Sequence, residues 1–201
     1  MGRNAGGVNG GTLGRSATER GYTEKMVKNI VGNENKIKGD RTESAYIYDA
    51  DGNLLREATG GTKKEIHLGF APANSIVSHN HPTERGEENA LLTFSAKDLQ
   101  YAVDHNVKEM RAVSKNHTFS MKRPHSGWGE KAQRESIQKL YDKIQDNIIR
   151  RNSKAVRKVF DKKGARVAKK LYLQLEDKVV HETITQVAKH FGWNYTMRKN
   201  K

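Results

Sequence analysis

Apolar residues along this chain change their spacing twice, which predicts three stretches of different structure. After Thr23 they recur at helical steps. Met26, Val27, Ile30 and Val31 form one stripe, Thr23 suits an N-cap, and Gly32 takes the place of a C-cap glycine. From Glu43 the period shortens. Ala45-Tyr46-Ile47-Tyr48 is a strand by its aromatic and β-branched content, and Asp49-Ala50-Asp51-Gly52-Asn53 is a turn that feeds a return strand at Leu54-Leu55. Gly60-Gly61 breaks that strand, and Glu65-Ile66-His67-Leu68 predicts a third, short one. Ala71 to Asn74 is a loop, and Ser75 to Ser78 reads as a buried strand. A polar insertion, Thr83 to Asn89, precedes a helix that starts at Ser95 and carries Leu99, Ala102 and Val103. Met110 to Ser114 and His117 to Met121 predict two further strands around a Lys115-Asn116 turn.

After Pro124 the pattern is helical. Ile137, Leu140, Tyr141, Ile144 and Ile148 make one amphipathic helix, and Asp161-Lys162-Lys163-Gly164 makes a turn. Ala168, Leu171, Leu175, Val179 and Phe191 continue the period on a second long helix, so the two predict a helical hairpin. Trp193 and Tyr195 are expected to end the ordered part, ahead of a basic tail. Residues 1–16 hold six glycines and no apolar period, which predicts a flexible arm. No strand precedes those glycines, so they do not make a phosphate-binding loop. The expected organisation is an arm and short helix over 1–35, an α/β (α+β) unit over 36–122, and a helical extension over 123–201.

Composition narrows the chemistry. The chain of 201 residues has no cysteine, which excludes disulfides, thiolate metal sites and thiol nucleophiles. No apolar run approaches the roughly 18 residues of a membrane span, and the N-terminus lacks the apolar core of a signal peptide, so a cytoplasmic protein is expected. The formal net charge of +14 is uneven. Residues 1–35 carry five basic and three acidic side chains, residues 36–121 eleven and twelve, and residues 122–201 twenty-one and eight. The basic last stretch suits nucleic acid or an acidic protein as a partner.

Candidate site chemistry lies where the Ser75–Ser78 strand gives way to the Ser95 helix. Ser78-His79-Asn80-His81-Pro82 places two imidazoles two residues apart. Ser95-Ala96-Lys97-Asp98 adds a hydroxyl and a carboxylate in a first helical turn. Alternate residues of an extended strand point to one side, so His79 and His81 face together and Asn80 points elsewhere. With Asp98 as a third ligand, the set suits a mononuclear metal site with one position open, and zinc accepts such His and carboxylate donors. A plainer role competes for Ser95-x-x-Asp98, which is also a capping box. His67, His105, His117, His125, His181 and His190 show no ligand spacing. The letters His79-Asn80-His81 do not make an HNH nuclease, because that name describes residues scattered over a ββα unit.

On these residues the sequence resembles the JAB/MPN (JAMM) metalloproteases. His79-Asn80-His81-Pro82 with Ser95-x-x-Asp98 looks like their metal motif, and the Asn between the histidines is similar to the RadC-like bacterial branch. Related domains occur in phage minor head proteins and bacterial toxins. The resemblance covers roughly residues 40–122 and implies a cytidine-deaminase-type mixed sheet with flanking helices. It implies His79, His81 and Asp98 as zinc ligands, Ser95 as an aid to the oxyanion, and Glu43 as the acid that orients and deprotonates the water. Glu57 and Glu65 lie later in the hairpin. The implied activity is hydrolysis of an amide bond in a protein or peptide, a ubiquitin-like tail among them. Thirteen residues separate His81 from Ser95, more than in the commoner family pattern, so Thr83–Thr93 is expected to loop out over the site. The other reading is a non-catalytic nucleic-acid-binding or phage structural protein that keeps this fold as a scaffold.

Overall fold

A computed structural model describes residues 16–63, 65–82, 90–129 and 133–200. Nearly all of the expected N-terminal arm and the insertion Thr83 to Asn89 lie outside the described residues. The chain is a mixed α/β fold built on one six-stranded sheet. Its strands are β1 (Ala45–Tyr48), β2 (Leu54–Ala58), β3 (Ile76–Asn80), β4 (Glu109–Val113), β5 (His117–Lys122) and β6 (Asn194–Lys199), in the order β2-β1-β3-β4-β5-β6. Only the central pair, β3 and β4, is parallel. A parallel pair needs a crossover, and helix α3 (Ala96–Asp104) lies within it.

The two-residue side-chain period sorts the central strands between two faces. Ile47, Val77, Met110, Ala112, Phe119 and Met121 face the larger core with Phe94, Leu99 and Ala102. That core also takes Ile137 and Tyr141 of α4 (Gln133–Lys163), and Ile184, Val187 and Ala188 of α6 (Val179–Phe191). Tyr46, Tyr48, Ile76 and Val113 face the other way, onto Tyr22, Met26, Ile30 and Ile37. Tyr22 precedes α1 (Glu24–Met26), and the other three come from α1, a π-turn at Val27–Val31 and α2 (Gly32–Ile37), which follow one another without a break. Covered on both faces, β1, β3 and β4 are buried throughout.

The second face also buries charge. The Arg111 guanidinium donates to Glu34 at 2.6 and 3.0 Å, to Glu109 at 2.8 Å, to the Thr18 carbonyl at 2.8 Å and to the Tyr22 hydroxyl at 3.1 Å. Ser78 adds a donor to Glu34 at 2.8 Å, and Ser120 one to Glu109 at 2.6 Å. Arg111 is fully buried, and its charge stands only because these acceptors replace water.

Four local expectations change. Gly32 does not end the first helix. It has a helical φ, and the chain continues to Ile37 because Glu34 reaches Arg111 and Ile37 is buried in the core. Glu65 to Leu68 is not a strand. The carbonyls of Leu68 and Phe70 accept from Arg56, and that of Gly69 accepts from the Tyr101 hydroxyl at 2.9 Å, so side chains hold what a ladder would have held. The second long helix is two, α5 (Ala165–Glu176) and α6, parted at Asp177-Lys178. The supposed basic tail is β6. Gly192 turns the chain in a left-handed conformation (φ 70°), and Asn194–Lys199 then pairs along β5. Trp193 is buried against Trp128, and Tyr195 stacks on Phe119.

Candidate metal centre

His79 ends up on the α3 face of the sheet because it shares the parity of Val77. His81 follows two residues on. Its N–H donates to the Val113 carbonyl at 2.8 Å, so the extended backbone runs one residue past β3 and keeps both rings on one side. Their Nε2 atoms lie 3.1 Å apart. Asp98, in the first turn of α3, brings Oδ1 to 3.6 Å from His79 Nε2. Among the described residues, these three side chains form a group placed to share one cation, with ligand atoms within 4.8 Å of one another.

The group could hold a metal ion. Tetrahedral ligands at bond lengths of about 2.0–2.1 Å are separated by roughly 3.3 Å, and the observed spacings of 3.1 and 3.6 Å bracket that edge. Burial lowers the His79 pKa against the pull of Asp98, which favours the neutral, lone-pair-bearing ring. Burial alone would raise the Asp98 carboxyl. The two imidazoles and the Ser95 hydrogen bonds outweigh it and keep the group below the usual carboxylate range.

One carboxylate, Asp98, belongs both to a capping box and to the group that could hold a metal ion. Asp98 Oδ2 accepts from the Ser95 N–H at 2.7 Å and from the Ser95 hydroxyl at 2.8 Å, while the Asp98 N–H donates to Ser95 Oγ at 3.2 Å. That is a capping box, and it aims the free oxygen, Oδ1, at the histidines. Ser95 therefore serves as N-cap and lines the cleft, with its hydroxyl engaged by Asp98.

Glu43 precedes β1 and is 5 % exposed. Its Oε1 lies 3.5 Å from His81 Nδ1, beside the ligand group. What holds it there is Asn80. The Asn80 Oδ1 accepts the Ser44 N–H at 2.6 Å, and its Nδ2 donates to the Thr42 carbonyl at 3.0 Å. The backbone on either side of Glu43 is thus clamped by the residue between the two histidines, and the Glu43 N–H donates to the Thr62 carbonyl at 2.8 Å. The sequence showed that Asn80 points away from the ligands. It gave no sign of where the amide goes, because its partners lie 36 and 38 residues earlier.

The group opens into a cleft of about 780 Å³. Glu43, His79, His81, Ser95 and Asp98 lie on its wall, as does the chain from Glu65 to Gly69. Glu65 forms an exposed pair with Lys97 at 3.2 Å. His67 and His105 also line the cleft, although neither belongs to the ligand group. Among the described residues, no helix is long and apolar enough to cross a membrane. Comparison with family models, curated proteins and solved structures returns no match.

Proposed function

We propose that this protein is a zinc-dependent peptidase or isopeptidase of JAMM type, acting on a protein or peptide amide in the cytoplasm. One observation carries the reading: two strand-borne imidazoles and a helix-borne carboxylate converge at the wall of a cleft, with the buried Glu43 carboxylate beside His81. His79, His81 and Asp98 would hold the ion. When bound, zinc supplies a Lewis acid for the scissile carbonyl and a water of lowered pKa. The rest falls to the chain. Glu43 takes the proton of the attacking water and delivers it to the leaving amine. Asn80 keeps that carboxylate in register with the histidines. Ser95 fixes Asp98, and its hydroxyl reaches a developing oxyanion only by turning away from Asp98 Oδ2.

The test separates metal from catalysis. Purified protein should contain about one zinc per chain, and His81→Ala should lose it. Glu43→Gln should keep the zinc and lose cleavage of partners trapped or altered in cells that express the active form. Cleavage retained in Glu43→Gln would reassign the base. A zinc-free wild-type protein would leave the scaffold reading in its place.

A further inference from the structure

The helical hairpin has a feature that the metal centre does not use. Among the described residues, α4 buries none after Ile148, and α5 buries only Ala168. Two helices this thinly packed leave much of their apolar surface in water. Ile149 is 46 % exposed, Phe160 54 % and Tyr172 49 %. Ile149 and Tyr172 line one groove, and an exposed apolar groove suits a surface that another molecule covers. Where α4, α5 and the start of α6 meet runs a groove of about 290 Å³ with apolar lining from Ile149, Val156, Tyr172, Leu175, Val179 and Val180; the acid Glu176 also lines it and accepts from the Tyr172 hydroxyl at 2.9 Å. On α4, residues 149, 152, 153 and 156 line it, a spacing that presents one continuous strip.

Charge says what kind of occupant fits. Residues 149–178 hold eleven basic and three acidic side chains. One of these cations, Arg151, is already engaged by Glu182, at 2.7 Å through both nitrogens. Arg150, Lys154, Arg157, Lys158, Lys169 and Lys170 remain on the same two helices. A second copy of the chain would set this excess against its own like. Phosphates would meet the cations but leave an aliphatic groove unfilled, and a lipid surface presents no side chain to enter it. We infer that the α4–α5 groove docks an acidic amphipathic helix of another protein, with apolar residues in the groove and carboxylates against its basic flanks. This is helix-in-groove recognition, with charge complementarity setting the partner. It is independent of the chemistry at His79 and His81.

The experiment uses the full chain and a synthetic probe, a 20-residue glutamate-rich peptide with leucines at helical spacing. Its control has the same composition in scrambled order. The amphipathic peptide should bind at least about tenfold more tightly than the scrambled one, and Ile149→Asp combined with Val156→Asp should remove that advantage. Both positions lie outside the buried core, so circular dichroism and the thermal midpoint of the variant should match wild type. Equal binding of both peptides would reduce the site to bulk charge and overturn the inference. So would a double variant that binds the peptide as wild type does. Tenfold loss of duplex DNA or phosphatidylserine-vesicle binding in the variant, with peptide binding intact, would overturn it in favour of those partners. A wild-type dimer that the variant turns into a monomer in sedimentation would assign the groove to a second copy.

Discussion

Two polar clusters sit back to back across the same pair of strands. On one face, Arg111 is surrounded by the acceptors of Glu34, Glu109, Thr18 and Tyr22. On the other, His79, His81 and Asp98 bring lone pairs together, and among the described residues no cationic side chain is paired with them. The first cluster is closed: the protein provides both signs of charge, and the helix over it shuts out water. The second is a surplus of donor atoms facing a cleft. Burial and perturbed titration mark both clusters, so neither property separates structure from chemistry. The balance of donors and acceptors does.

That contrast predicts a graded set of outcomes. The largest belongs to the closed side. Arg111→Ala leaves two buried carboxylates facing each other and should cost about 3–5 kcal/mol in urea unfolding, with zinc per folded chain unchanged. A loss of zinc with little loss of stability would mean that the two faces have been assigned the wrong way round. Next comes the metal itself. Zinc at about 100 times its dissociation constant should add about 2.7 kcal/mol to the wild type, reversed by a chelator, whereas His81→Ala should show no zinc-dependent shift in melting. Asn80 ties the Glu43 segment to the histidine strand, since its backbone belongs to β3 and its amide holds Thr42 and Ser44. Asn80→Ala strands a buried N–H and a carbonyl and should cost about 1–3 kcal/mol, with zinc retained and turnover reduced. The smallest effect is Ser95→Ala, about 1 kcal/mol of cap. If Ser95 also serves the oxyanion, turnover will fall by more than the stability change explains.

How much of this was legible beforehand depended on distance along the chain. The spacing of His79 and His81 sets their shared face, and Ser95-x-x-Asp98 announces a helix start; both are local rules, and the folded chain obeys both. Glu43 was placed beside them only through resemblance, and it does lie 3.5 Å from His81. The Arg111 network leaves no local trace in the sequence, because Glu34 is 77 residues away and nothing in either neighbourhood names the other. Strand β6 escaped for a different reason. Asn194 to Lys199 is half-exposed and ends in Arg198 and Lys199, a composition that suits a sheet edge as well as a solvated tail. Glu65 to Leu68 errs the other way: a strand-like composition whose end carbonyls are claimed by the Thr62 N–H and by Arg56.

The alternation along β3 has an evolutionary corollary. Ser78 and Asn80 serve one face while Val77 and His79 serve the other, so a single-residue insertion or deletion between Ile76 and Asn80 would exchange every role at once. Point substitutions can tune this strand. Length changes cannot, and lineages that alter the chain's length here should do so only in the loops on either side.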